Sequence, residues 1–324
     1  MRRRTALLAA AAVFAALPAL AQTYPAKPVI VIVPFAAGGP TDIIARIVGE
    51  NMSKTLGQQL IIENVVGAGG TTGITRAAAA AKDGYTIAMG HMGTHGAAPA
   101  LYPALRYDPV KDFEPIGLAA GTPILIVARK NYPASNLAEF VADLKAKQDK
   151  VNEAHAGVGS VSFTSCTLFN AMIGAKTTRV AYRGTAPALN DLLGGQVDYG
   201  CDQIVNLVEQ VKAGGIKAYA IATETRSAAL PDVPTTKEAG LGDYQVSAWN
   251  ALFAPKGVPA DVVAKLSAAL DKALDDPATK KRLEDLGGIV PDKASRTPEA
   301  LGKFVASEVA RWTPVLKAAG VTAN

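Results

Sequence analysis

The sequence predicts an α/β protein in two domains, with mixed, mostly parallel sheets flanked by helices. Three observations lead there. Strand-like and helix-like segments alternate along most of the chain with short connections, the pattern of a sheet wound by right-handed crossovers. The run Val29–Val33 is apolar at every position, as a strand buried on both faces requires. Roughly 300 residues remain once a leader is set aside, more than one core of ordinary size needs.

The leader is read from the first residues. Arg2, Arg3 and Arg4 form a basic start, Ala6–Leu17 an apolar run, and Ala19-Leu20-Ala21 a small-x-small end. This is an export signal over residues 1–21, with cleavage before Gln22 and delivery to the periplasm. The apolar run falls short of the roughly 20 residues of a bilayer span, and no later segment reaches that length without charge or turn residues. Adjacent arginines leave the twin-arginine route open beside the general one. Subtracting the three charges of Arg2, Arg3 and Arg4 from the +5 of the whole chain leaves +2. Acidic and basic residues are mixed throughout, so a nucleic-acid partner is not expected. The two cysteines, Cys166 and Cys201, either pair in an oxidising compartment or stay as two small buried thiols.

After Val29–Val33 comes the turn Pro34–Pro40, then a helix over Thr41–Leu56, whose Ile43, Ile44, Ile47, Val48, Met52 and Leu56 recur near helical spacing. Gly57 stops it. Leu60–Ile62 is the next strand, Gly67–Gly73 a glycine-rich turn, Ile74–Ala81 an alanine-rich helix and Tyr85–Met89 a third strand. A second unit of the same grammar follows, with strands at Ile124–Ala128, Thr178–Tyr182, Val197–Cys201 and Ile216–Ala222. Its helices lie at Leu137–Lys147, Val161–Ile173, Ala186–Leu193 and Val205–Lys212. The loop Leu230–Pro234 marks a change of unit, Ala248–Ala254 is a last strand, and Ala260–Leu274, Pro277–Leu286 and Pro298–Ala318 are helices. These last helices have no strands of their own to cover and must pack on a sheet built earlier. The chain therefore divides into a first domain of residues 22–123 plus 247–324 and a second of 124–246, with two crossings that form a hinge.

Two turns carry the candidate chemistry, Pro34–Asp42 and Asn64–Gly73. Each sits between the carboxyl end of a strand and the amino end of a helix, where parallel α/β sheets place ligands. Helix amino ends present free N–H groups and a partial positive charge, so they hold anions without a lysine or arginine. Glycines let the backbone approach closely. A carboxylate or phosphate site of main-chain donors and Thr hydroxyls follows; the plainer reading is a pair of ordinary crossover turns. Thr72 stands where the last glycine of a dinucleotide fingerprint belongs, and no Gly-Lys-Ser/Thr follows for a P-loop. His91 and His95 have helical spacing, but Gly90, Gly93 and Gly96 argue against a helix that would align them, and the metal motif H-E-x-x-H is absent. Ser160 does not fit a nucleophile elbow, and no acid–base pair is evident.

In order along the chain, Tyr24-Pro25, Pro34–Asp42, Ala45-Arg46, Asn64-x-x-Gly67–Gly70 and Asp83–Tyr85 are followed by Tyr107–Pro109 and Asp112-Phe113. Then come Gly157-x-Gly159-Ser160, Tyr182–Gly184, Leu192-Leu193-x-Gly195-x-Val197-Asp198 and Pro231–Thr235. This ordered set resembles the solute receptors of tripartite tricarboxylate transporters, the Bug family. The resemblance implies a two-domain, type II-like Venus-flytrap fold and a monomeric extracytoplasmic receptor without catalysis, cofactor or metal. Such a receptor delivers a small carboxylate to a membrane permease; a periplasmic sensor and a periplasmic enzyme are the alternatives. Carried onto this chain, Phe35, Ala36, Gly38, Gly39, Thr41 and Asp42, with Gly69, Gly70, Thr71 and Thr72, are expected to hold one carboxylate. Ser160, Tyr182 and Asp202 are expected from the opposing domain, where Tyr182 and Asp202 also have a purely stabilising reading. Phe163 stands where the family often has histidine. A phenyl ring there suits an aromatic carboxylate, beside aliphatic dicarboxylates of four to six carbons.

Overall fold

Val29–Val33 (β1) is the strand from which the first sheet grows, and its apolar run is buried because both faces are covered. Val29, Val31 and Val33 join one core while Ile32 joins the other, the period-two alternation of a strand read through a sheet with two hydrophobic faces. The structure is a computed structural model that describes residues 24–322. The expected leader, with cleavage before Gln22, lies outside the described residues.

Leu60–Asn64 (β2) and Thr86–His91 (β3) pair parallel to β1 on either side. Pro40–Leu56 (α1) connects β1 to β2, burying Ile44, Ile47, Val48 and Met52 along one stripe and ending at Gly57 in the left-handed region. Thr71–Ala78 (α2) begins three residues earlier than the sequence suggested, because a short 3₁₀ turn at Ala68–Gly70 absorbs the glycines and lets the helix start at Thr71. Residues 92–97 after β3, expected to be non-helical, form π-helical turns that run into Ala98–Leu101 (α3).

Phe113–Arg129 (β4) then runs for 17 residues through both halves of the molecule. The sequence showed only its last part, since Pro115, Gly117, Gly121 and Pro123 read as breakers. Two register shifts in the pairing with Ser247–Pro255 (β9), at Pro115/Gly117 and Leu118/Ala120, absorb the first two, while Gly121 and Pro123 pair in regular register near the strand's point of crossing. Up to Pro123 the strand pairs with β9; from Ile124 onward it pairs with Tyr199–Gln203 (β7) on one side and Ile216–Ile221 (β8) on the other.

The second half contains Leu137–Lys147 (α4), Asn152–His155 (β5), Val161–Ile173 (α5), Thr178–Ala181 (β6), Thr185–Leu193 (α6) and Ile204–Lys212 (α7). Strand β5 escaped the sequence reading because its Asn-Glu-Ala-His composition carries no apolar alternation. The whole path runs β2-β1-β3-β9-β4-β7-β5-β6, with β8 beside β4. Every antiparallel pair involves β4 or β9; the pairs β1–β2, β1–β3, β5–β6 and β5–β7 are parallel. Ala260–Asp275 (α8), Pro277–Asp285 (α9) and Pro298–Ala318 (α10) return to the first sheet, α8 against α1 and β4, α10 against β4 and the π-helical turns. Glu308 of α10 anchors that return by accepting from the indole N–H of both Trp249 (2.8 Å) and Trp312 (3.1 Å).

Cys166 on α5 and Cys201 on β7 form a disulfide, closing a loop of 35 residues inside the second half. In the loop-entropy account such a crosslink stabilises by about 3–4 kcal/mol. Cys201→Ser is therefore expected to lose about that much, read as a lower urea midpoint with a steeper slope, because the unfolded chain without the crosslink is more expanded.

Candidate functional site

The two turns of the first lobe are held rigid from below. The Asp42 carboxylate accepts from the Gly38 amide (2.9 Å), from the Arg46 guanidinium (2.9 Å) and from Asn64 Nδ2 (3.0 Å). Asn64 Nδ2 also donates to the Phe35 carbonyl at 2.9 Å. Burial pushes the Asp42 carboxyl up, but the hydrogen bonds from Arg46, Gly38 and Asn64 outweigh it and leave the group below its usual range. With its oxygens so committed, Asp42 shapes the turn and is not among the residues that line the inner pocket.

The second turn departs in a similar way. Thr71 Oγ1 donates to the Ala68 carbonyl at 2.9 Å, and the Thr72 hydroxyl lies under Gly67. Both threonines face a separate groove beside Thr75 and Pro103, so neither presents its hydroxyl to the cleft. Gly69 and Gly70 do line the cleft, at its outer vestibule.

In the second lobe the turn after β5 brings Ser160, the N-cap of α5, whose Oγ accepts from the Phe163 amide (3.2 Å) and shares a hydrogen bond with Ser162 Oγ (3.2 Å). Phe163 itself turns inward. Its ring, 2 % exposed, packs edge-on against His155 at 5.0 Å and under the Arg179 guanidinium at 5.1 Å. The position therefore offers no surface to a bound ring, and the argument from it toward an aromatic ligand loses its footing. Tyr182 lines the vestibule, with its hydroxyl donating to Asp191 Oδ2 at 2.6 Å.

The inner pocket is lined by Phe35, Gly39, Pro40 and Thr41 from the first turn, His91 from the end of β3, and Ala156, Ser160, Val161 and Ser162 around the start of α5. Thr185 from the start of α6 and Asp202 and Gln203 before α7 complete it. Four helix amino ends, those of α1, α5, α6 and α7, thus converge from both lobes on one narrow space. Among the described residues, no lysine or arginine lines it. His91 stays neutral: burial pushes it down to about 3, its Nδ1 accepts from the Gly93 amide at 2.8 Å, and its ring stacks on Phe35 at 4.9 Å. The positive potential is that of peptide dipoles. Among the described residues there is no group of three or more His, Cys, Asp and Glu arranged to hold a metal ion, and no helix long and apolar enough to cross a membrane. His95, stacked on Phe253 at 4.1 Å, faces a different way from His91.

The lobes are closed on each other. Ala36 packs on Gly184 and Gly38 on Ala186, the Tyr102 hydroxyl donates to the Val158 carbonyl, and Gly69 lies directly against that carbonyl. Gln203 ties the pocket to the crossing strands, its Oε1 accepting from Thr122 Oγ1 (2.6 Å) and Asn250 Nδ2 (3.2 Å). Of the residues singled out by sequence, Phe35, Gly39, Thr41, Ser160 and Asp202 meet in the inner pocket. Gly69, Gly70 and Tyr182 meet in the vestibule, and Ala36 and Gly38 lie on the seam. His91, Ser162, Thr185, Gln203, Tyr102 and Arg183 were missed. The strand-end, helix-start rule applied to the second unit finds Thr185 and Gln203; nothing local marks His91 or Tyr102.

Two lobes joined by paired strands, with helix amino ends from both facing one narrow pocket, are the architecture of a two-domain solute-binding protein of the periplasmic class. The tripartite tricarboxylate transporter family receptor model matches residues 44–321, and the chain belongs to this family. It is 50% identical to MatC from Rhodopseudomonas palustris, whose structure has bound malate (TM-score 0.88, covering 90% of this chain and 100% of that one). It is 43% identical to the periplasmic binding protein BugD (TM-score 0.89, 92% and 99%). A second R. palustris protein, with adipate, is 30% identical (TM-score 0.88, 92% and 99%). Solute binding and carboxylate ligands are thus the business of the family and its structural neighbours.

Gly69 is the sharpest test of closure. It adopts φ +58°, and a Cβ there would overlap the Val158 carbonyl of the opposite lobe. Gly69→Ala is expected to fold with a loss of about 1–2 kcal/mol from its left-handed backbone. It should fail to close, giving a larger radius of gyration by X-ray scattering at saturating ligand and affinity weaker by ~10-fold or more.

Proposed function

We propose that this chain is an exported periplasmic receptor, monomeric and without enzymatic activity, that captures an aliphatic dicarboxylate of four to six carbons and presents it to the membrane permease of a tripartite transporter. The observation that carries this reading is the convergence of four helix amino ends from both lobes on a pocket with no cationic side chain. Main-chain N–H groups and hydroxyls there suit a carboxylate, and the dipoles favour its charge without a counter-ion. The vestibule beyond Phe35 and Ala156, where Tyr182 and Arg183 stand, leaves room for the far end of an extended diacid. Malate in MatC and adipate in the more distant neighbour bracket the chain length. Aromatic acids are disfavoured, because the Phe163 ring is spent on the second lobe's own packing.

In this reading residues 22–123 with 247–324 form one domain and 124–246 the other, hinged where β4 leaves β9 and passes into the second sheet. The open form admits the anion to the first turn. Closure adds Ser160, Ser162 and Thr185 and removes water, which strengthens each electrostatic contact. Residues 1–21 act as the export leader.

Calorimetric titration of refolded, ligand-stripped protein with malate, succinate, adipate, phthalate and inorganic phosphate tests the reading. Tight binding to an aliphatic diacid, with the ligand recovered unchanged, is the expected outcome; binding confined to phthalate or phosphate would sink it. Ser160→Ala should weaken the best ligand by ~10-fold or more, as loss of a hydrogen bond to a charged group does, while costing about 1 kcal/mol as a lost helix cap.

A further inference from the structure

An anion in the inner pocket meets a carboxylate already there. Asp202, at the end of β7 and 7 % exposed, lines the same space as Ser160 and Thr185. Its Oδ1 accepts from the Gln203 amide at 2.7 Å, and Thr185 lines the pocket beside it. The neighbouring elements supply no compensating charge. From the first turn come Gly39, Pro40 and Thr41, with the Asp42 carboxylate turned away onto Arg46. From β3 comes His91, neutral; from the turn after β5 come Ser160 and Ser162, with His155 behind them, which burial pushes down to about 4. From β4 comes Leu125, opposite Asp202 in the sheet. Arg183 belongs to the vestibule and is exposed. A bound carboxylate therefore puts two negative charges into one poorly solvated pocket, where like charges do not both stay ionised.

Resting on the dicarboxylate reading, we propose that Asp202 takes up one proton from solvent as the ligand binds, so that the protein captures its dicarboxylate together with a proton. The protonated oxygen then donates a hydrogen bond to the ligand carboxylate, which the ionised form would repel. Burial already pushes the Asp202 carboxyl up to about 6, against the lowering effect of the Gln203 amide and of Thr185. The charge of the bound ligand must then raise it well above pH 7.5 for the proton to be held there. Because the bound state carries the extra proton, binding tightens as pH falls, by up to ~10-fold per pH unit above about 6, and levels off below it.

The test is calorimetric titration of the mature wild-type protein with malate, and with adipate, in Tris and in HEPES at about pH 7.5, where the ligands' own carboxyls stay ionised. The buffer dependence of the heat counts protons. Uptake approaching one proton per ligand, with affinity falling from pH 7 to pH 8, is expected, and both effects should vanish in Asp202→Asn. Binding without proton uptake in the wild type, or uptake that survives Asp202→Asn, overturns the proposal while leaving the receptor reading intact. Silence toward both diacids overturns the two together. A variant that fails to fold, seen in its thermal melt, leaves the decision to the wild-type pH series, since His91 and His155 do not titrate in that range.

Discussion

The antiparallel pairing of β4 with β9 is the constraint on which the rest of the molecule depends. These strands run side by side from Phe113 and Pro255 to Pro123 and Ser247, and just beyond that point β4 changes partners and becomes the centre of the second sheet. Every other strand is placed relative to this pair, directly or through one neighbour after another. The carboxyl ends of β1 and β3 in one sheet and of β5, β6 and β7 in the other then face a common gap. A connection made of two paired strands bends more readily than it shears, because its ladder hydrogen bonds hold register while the backbone absorbs rotation. In the proposed opening and closing this crossing serves as the hinge. The link from Thr122 and Asn250 through Gln203 to the pocket gives this crossing a direct polar connection to the proposed binding site.

The pocket's electrostatics follow from the same geometry. Helix starts are unpaired N–H groups, and a parallel strand followed by a helix puts such a start at the sheet's carboxyl edge. Bringing two such edges together concentrates four helix amino ends with no cationic side chain among the described residues that line the pocket. The protein thus avoids burying a lysine or arginine, which would carry a large desolvation cost when unpaired. The glycines on the seam serve the approach itself, since Gly69 and Gly184 bring backbone against backbone where a Cβ would intervene.

Much of the fold was legible in local pattern. The helices Leu137–Lys147, Val161–Ile173 and Pro298–Ala318 have the boundaries their sequence suggests, because apolar spacing and caps such as Asn136, Ser160 and Thr297 are properties of the segment itself. The first part of β4 and the whole of β5 were not legible. One is full of prolines and glycines that only its pairing with β9 accommodates, and the other is polar because Glu153 finds its partners in Asn170 and Tyr199 while His155 caps the turn that follows by accepting from the Gly157 amide. The site divides the same way. Gly39, Thr41 and Ser160 stand at helix starts and were readable, whereas Asp42, Thr71 and Thr72 share those starts yet spend their polar atoms inside their own turns. Phe163 misled for a related reason: a residue three beyond an N-cap sits one turn down the helix, and whether that face meets the cleft or the core depends on how the helix is set against β5.

By itself the sequence determined the α/β class, the positions of most helices and strands, the family, and the two glycine turns at strand ends, all of which are encoded in runs of neighbouring residues. Only the tertiary structure decided that Cys166 meets Cys201, that His91, Thr185 and Gln203 share a pocket with Phe35, and that Asp202 lies within it without a cationic partner. Those facts join residues far apart in the chain, and local pattern carries no record of how two sheets are folded onto one another.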